Sequence, residues 1–472
     1  MPQYDELVMN SDMKSAKKSS EIGSIKYLER ANRFLLLYLL LSACALALQA
    51  LLPSYFNFNT SEAISARLDD GPWCNPKKQG IGVHCFGDFY YGMQFANSIN
   101  PWSGELNAYP PIGTFFYKPF AIVFNYTHQN HISLILYFLL SLACVMFPAL
   151  HILKTKKCGS VITMFMIAVS ITSAPVLMSI DRGNIQTILI PFLYMFSLGV
   201  IKNNTKKIFI SGIFLVLFKP QFALLGLVFM AGKEFKKLLI WIVISVSLSL
   251  FVFILYPNNL IQNFNSYLRG LGKFQQYVNP GSLNPANISI ASSWSTLERI
   301  LTTIYPNIST KDPYGRWAFY PSLVTVLLLI LVSLSLIMLG KHRSRFEILY
   351  TVLSVPILFT NVAFAYHLLV YLPLLLFIVG DVVAHYLGKN LHFHETTDDY
   401  CHLQIFQKKS IALFISLTYF SLFITWGIPW KVFPKFNDSP WGSIGVNWFP
   451  GQLFLLALFI LLLLGRVKWR KV

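Results

Sequence analysis

The sequence predicts an all-α polytopic integral membrane protein, and three observations carry that prediction. Of the 472 residues, 55% are hydrophobic and only 12% are charged. A soluble domain carries about twice that charge. The apolar residues also lie in continuous runs long enough to cross about 30 Å of hydrocarbon, not in the alternating pattern of a membrane β-barrel. Lastly, the basic residues that bring the net charge to +18 gather in short loops between the runs, as the positive-inside rule requires. They form no basic domain and accompany no nucleic-acid motif. The expected surroundings are a lipid bilayer, and no nucleic acid is expected as a partner.

Taken in order, the polar residues 1–33, with Lys14, Lys17, Lys18, Lys26, Arg30 and Arg33, read as a cytoplasmic tail rather than a signal peptide. Residues 34–53 make the first span, and 54–131 a long external loop. Inside that loop, 112–124 is apolar, too short to span, and interrupted at Lys118-Pro119, so it reads as an interfacial or re-entrant helix. Residues 132–153 return to a basic stop, 160–179 go out, 179–184 ("SIDRGN") turn, and 185–201 come back. The stretch 206–237 has basic clusters at both ends. Pro220 removes a helix hydrogen bond and disfavours helix at Lys219, so the stretch reads as a hairpin of two short helices. Lys219 lies twelve residues past Lys207, about 18 Å along a helix, which puts it in the outer half of the membrane. Residues 238–255 then go out, 256–317 form a second external loop, and 318–340 return. A second broken hairpin covers 346–386 and turns near His367; a cytoplasmic loop spans 387–409, and spans 411–429 and 448–465 precede a basic tail. The total is about twelve spans with both termini cytoplasmic. The domains are the tail 1–33, a membrane core 34–386, the loop 387–409 and a C-terminal pair 410–472.

The polar residues that spans normally exclude fall on one side: Asp88, Asp181, Arg182, Asn184, Lys219, Gln221 and His367. Ionisable groups at membrane depth are costly and mark function. Irregular backbone survives there only where protein buries it or water reaches it. Two broken hairpins opening on one face therefore predict a cavity holding a carboxylate, an imidazole, cations and aromatic rings, Tyr91 and Tyr109 among them. Aromatic faces suit sugars, and cations suit a lipid phosphate. A carboxylate can take a proton from a sugar hydroxyl, and a cation can stabilise a departing phosphate. Glycosyl transfer from a polyprenyl phosphate fits this set.

The chain also resembles a known group. "GDFYYG" (87–92), "YPP" (109–111), "RGNIQ" (182–186), "FKPQ" (218–221) and "YHLLVYLPLL" (366–375) occur in that order over roughly residues 30–380. The pattern resembles the GT-C polytopic glycosyltransferases, most closely glycosyltransferase family 87. The resemblance implies a GT-C-like helical bundle with external loops and juxtamembrane helices. It also implies a donor such as polyprenyl-phosphate mannose. By position it implies Asp88 as general base and His367 at the donor phosphate or sugar; Lys219 matches the family's Lys-Pro position, and its place before the helix break suits a phosphate ligand. The family often has Gly-Gln-x-Asn where this chain has Asp181-Arg182-Gly183-Asn184, so the roles of Asp181 and Arg182 do not transfer from it.

The expected activity is inverting hexosyl transfer, at the extracytoplasmic face of a bacterial inner membrane, to a cell-envelope glycan or glycolipid acceptor. Asp88 and His367 are the catalytic candidates, Lys219 and Arg182 the phosphate ligands, and Tyr91, Tyr109, Asn184 and Gln221 the substrate contacts. No cofactor is implied, although Asp88 could recruit a divalent metal. A flippase for lipid-linked glycans, or a glycan polymerase or ligase, would want a similar cavity. Plainer readings stand beside these roles. Asp88 can cap the helix after it, with Asp69-Asp70 as a rival base. Lys219 can snorkel to the interface, Arg182 can pair with Asp181, and His367 can be a hydrogen-bonded core residue. Cys74 and Cys85 share one external loop, where a disulfide or two thiols are both compatible with the compartment. The tract 392–402, rich in His, reads as a solvated cytoplasmic loop.

Overall fold

The computed structural model describes residues 86–102, 107–156, 160–278, 319–339, 345–359, 365–374, 376–377, 427–429 and 443–445. The first span, Cys74 and Cys85, Asp69-Asp70, the tract 392–402 and most of the C-terminal pair lie outside the described residues. What is described is almost entirely helical. The exception is one antiparallel pairing of two short strands, β1 (Gly427–Pro429) and β2 (Ser443–Gly445).

Within the predicted first external loop, the described residues begin at Phe86 and form α1 (Gly87–Asn97). The expected interfacial helix is two helices, α2 (Pro111–Phe116) and α3 (Lys118–Thr127), jointed at Tyr117. Each has Pro in its first turn, where the missing N–H is no loss. The long helix α4 (Asn130–Lys156) follows.

The next predicted span, 160–179, divides at Ser173 into α5 (Ser160–Thr172) and α6 (Ala174–Arg182). Pro175 is the physical reason, since it has no N–H to continue α5's ladder. The predicted turn 179–184 is also mostly helix, because α6 runs through Arg182. The span 185–201 begins as a 3-10 helix, Ile185–Leu189, and becomes α7 (Ile190–Ile201) at Pro191.

The predicted break at Lys219 is present. Helix α8 (Thr205–Phe218) stops, Lys219 is extended (φ −145°, ψ 105°), and a 3-10 helix Pro220–Leu227 leads into α9 (Val228–Ala231). Then come α10 (Phe235–Phe253), α11 (Leu260–Val278), α12 (Phe319–Leu339) and α13 (Arg345–Leu358), and a 3-10 helix, Ala365–Tyr371, carries His367. Helix α11 lies within the stretch 256–317 expected as the second external loop, a helix that the sequence reading does not single out.

Among the described residues, two helices are long and apolar enough to cross a membrane, His131–Thr155 within α4 and Phe235–Phe253. Both turn large apolar side chains outward: Ile135, Leu136 and Leu139 on α4, and Leu239, Val243 and Val246 on α10, are exposed. A core helix of a soluble protein would bury these; a lipid-facing helix leaves them to the acyl chains. Inward, one cluster joins α4 to α10, α12, α13 and residues of all three described 3-10 helices. Trp241 of α10 is fully buried there, its indole seated on Gly212 of α8. A second cluster lies beside it, formed by Phe89, Met93, Tyr117, Phe120, Tyr137, Ile185 and Ile188. This smaller cluster packs α1 against α3, α4 and the first 3-10 helix.

Candidate functional site

The site begins with how α6 ends. Gly183 takes a left-handed conformation (φ 67°), with Gly183 N–H donating to Ile180 O and Asn184 N–H to Ser179 O, both at 2.9 Å. This is the Schellman pattern, which satisfies carbonyls a helix end leaves orphaned. Glycine suits it because an L side chain is strained there. A second constraint acts on the same residue. A Cβ at Gly183 would strike Phe89 Cβ and come within 3.0 Å of Phe89 N. Helix α1 therefore lies directly on this turn. Gly92, one turn further along α1, lets the Tyr117 ring approach within 2.5 Å of where a Cβ would stand.

That contact delivers Asp88, the neighbour of Phe89. Its Oδ2 accepts from Asn184 Nδ2 at 2.7 Å and from Arg182 Nε at 3.4 Å. The capping reading of Asp88 fails. Phe86 holds the cap position with φ 64° and no side-chain cap bond, while the Asp88 carboxylate reaches across to the other segment. Arg182 pairs with this carboxylate, a partner the sequence reading did not consider.

Asn184 is the hub. Its Nδ2 donates to Asp88 and to Tyr109 Oη at 3.3 Å, and its Oδ1 accepts from Gln186 N–H at 3.0 Å and from Lys219 Nζ at 3.4 Å. Its own carbonyl accepts from Tyr137 Oη at 2.8 Å, and Tyr117 Oη donates to Gly183 O at 3.3 Å. Lys219 Nζ also lies 3.2 Å from His367 Nε2. With Lys219 as an ammonium, Nε2 must accept, which puts the imidazole proton on Nδ1. The two broken helices thus meet side chain to side chain. Arg182, Asn184, Lys219 and His367 are all buried, and the Asp88 side chain is 16% exposed.

The structure therefore gathers Asp88, Tyr109, Arg182, Asn184, Lys219 and His367 into one network. Tyr91 is half-buried and stacks on Phe95 with ring centres 6.3 Å apart. Gln221 is half-buried and is not a member of the network. Tyr117 and Tyr137, which the sequence reading passed over, hold the turn that carries Asn184. The signal was a phenol inside an apolar run, since a buried Tyr O–H needs a partner.

Two chemical properties follow. Arg182 and Lys219 against Asp88 leave one surplus positive charge among the described side chains at the site. Buried cations of this kind suit an anion such as phosphate. Both Arg182 Nε and Asn184 Nδ2 donate to the same carboxylate oxygen, Asp88 Oδ2. Among the described residues, no group of three or more His, Cys, Asp and Glu gathers to hold a metal ion.

Comparison with curated proteins and with solved structures found no significant match. The model of glycosyltransferase family 87 matches residues 107–360, more than half of the chain, including Tyr109, Arg182, Asn184 and Lys219. The chain belongs to glycosyltransferase family 87.

Proposed function

We propose that this protein is an inverting membrane glycosyltransferase that moves a hexose, mannose or a close relative, from a polyprenyl-phosphate carrier to a glycan or glycolipid acceptor. One observation carries the reading. A carboxylate and a buried ammonium bind opposite ends of a single side-chain amide, Asp88 at Asn184 Nδ2 and Lys219 at Asn184 Oδ1. A base and a phosphate ligand so spaced can flank one glycosidic carbon.

In the proposed reaction, Asp88 takes the proton of the acceptor hydroxyl. The freed oxygen attacks C1 of the donor sugar, and the bond from C1 to the phosphate oxygen breaks. Its electron pair leaves with the polyprenyl phosphate, whose growing charge Lys219, Arg182 and the His367 imidazole stabilise. One displacement inverts the anomeric carbon. Tyr109, held by Asn184, lines the sugar pocket, with Tyr91 and Gln221 as outer contacts. The proposed reaction uses no further cofactor.

The chain would sit in a bacterial inner membrane with about twelve spans, both termini cytoplasmic and the cluster near the outer face. The lipid-facing side chains of α4 and α10 support the membrane setting. Incubating the purified protein with polyprenyl-phosphate mannose, glucose and arabinose in turn tests the donor class. Consumption of one of them is expected; consumption of none, with sugar nucleotides used instead, would overturn it.

A further inference from the structure

We propose that Trp102 and Tyr256 are positioning residues: they grip the backbone on both sides of Pro110 and so hold the Tyr109 ring against the donor sugar. The proposal rests on the reading of Tyr109 as a wall of the sugar pocket.

The segment Tyr109-Pro110-Pro111 has an unusual hydrogen-bond problem. Two successive residues lack N–H, so the segment cannot pair as a strand or close a turn through those atoms. It still presents three carbonyls, and each finds a donor. Tyr109 O accepts from the indole Nε1 of Trp102 at 3.1 Å and from Thr114 Oγ1 at 3.4 Å. Pro110 O accepts from Thr114 N–H at 2.9 Å as α2 begins. Pro111 O accepts from Tyr256 Oη at 3.0 Å. Tyr109 N–H donates to Asn107 Oδ1 at 2.9 Å. Asn107 is fully buried, and its amide nitrogen donates to Pro101 O and to Thr114 Oγ1.

Two of these donors come from a separate aromatic body. Trp102 is buried, with ring centres 5.3 Å from Phe253, 4.8 Å from Tyr256 and 6.2 Å from Tyr267. Phe253 ends α10, and Tyr267 lies on α11. Asn263 of α11 ties the turn between them by donating to Phe253 O and Asn258 O, both at 3.0 Å. The strap is thus bolted to the end of α10 and to α11, while its Tyr109 Oη reaches Asn184. Burial pushes the Tyr256 phenol above its ordinary range, which keeps it a donor. The prolines set the direction of the strap; the indole and the phenol set its position.

The test compares two probes on the purified full-length chain, undecaprenyl-phosphate mannose and undecaprenyl phosphate without sugar. Tyr256→Phe keeps the ring and removes one hydrogen bond to the strap. It is expected to weaken the mannose-bearing probe about fivefold and to leave the sugarless one within about twofold. Trp102→Phe should act in the same direction. In a Tyr109→Ala background, which removes the ring being positioned, Tyr256→Phe should add less than about twofold, because residues that act through one group are not additive. Equal weakening of both probes would mean general damage to the fold and overturns the proposal. So does undiminished mannose-probe affinity in Tyr256→Phe and Trp102→Phe. Wild-type protein that binds the two probes equally overturns it as well. The donor reading is tested apart from this, by whether Lys219→Met lowers the affinity for undecaprenyl phosphate roughly thirtyfold.

Discussion

Gly183→Ala is the sharpest mechanical test of how the site is assembled. The residue is left-handed at φ 67°, where an L side chain costs about 1–2 kcal/mol. The added Cβ meets Phe89 Cβ and stands 3.0 Å from Phe89 N. The second atom is backbone, so rotating a side chain gives no relief, and α1 must withdraw. Overpacking of this kind costs about 1–3 kcal/mol. The sum is a destabilisation of roughly 2–5 kcal/mol. Asp88 adjoins Phe89, so the same withdrawal draws its carboxylate away from Asn184 Nδ2, now 2.7 Å away. A displacement near 1 Å costs about 100-fold in rate. Thermal unfolding in detergent and the transfer rate would be measured on the same preparation. Gly87→Ala is the control: it lies next to Asp88, meets nothing within 4 Å and is expected to change neither quantity. A Gly183→Ala protein with wild-type unfolding temperature and wild-type rate would refute the reasoning that this turn locates α1.

Three further outcomes follow from the same geometry. Lys219→Met keeps the length of the side chain and removes the buried cation beside Asn184 and His367. Affinity for undecaprenyl phosphate should fall by about 2 kcal/mol, roughly thirtyfold, in an equilibrium binding assay. Tyr137→Phe removes the 2.8 Å bond to Asn184 O, though Ser179 and Thr187 hydroxyls still reach that oxygen at 3.4 Å. A stability loss of about 1 kcal/mol with a several-fold slower rate is expected, read by chemical unfolding and initial rates. Trp241→Ala empties a fully buried site between Gly212, Phe209 and Phe229. It should cost about 3–5 kcal/mol by thermal unfolding, while the folded fraction keeps its affinity for the phosphate probe.

How much of this was legible in the sequence depended on the kind of signal. The break at Lys219 was readable because Pro220 acts locally, by removing an N–H and restricting the residue before it. The meeting of Lys219 with His367 was readable in outline, since two broken hairpins opened on one face. The division of 160–179 at Ser173 obeys the same proline rule, and Pro175 could have exposed it. Helix α11 was missed for another reason. Its apolar residues Leu260, Phe264, Tyr267 and Leu271 recur at helical spacing only, and the Asn, Gln and Gly between them make a short window look like loop. Asn184 as hub, and Tyr117 and Tyr137 as its supports, were beyond local reading. Their partners lie 66 and 47 residues away in sequence for the two tyrosines, and only the close seat of Phe89 on Gly183 brings Asp88 to them. The same limit hid the pairing of Arg182 with Asp88, 94 residues apart.

The transfer rate of Asp88→Asn, measured together with its affinity for undecaprenyl phosphate, tests the central claim most directly. Asn keeps the shape of the side chain and lacks a basic oxygen. The expected result is a rate lower by about 10²- to 10⁴-fold, with phosphate affinity within about threefold of wild type because Lys219 and Arg182 remain. A variant that transfers sugar at the wild-type rate would contradict the assignment of Asp88 as the base, and with it this cluster as the place where the glycosidic bond is made.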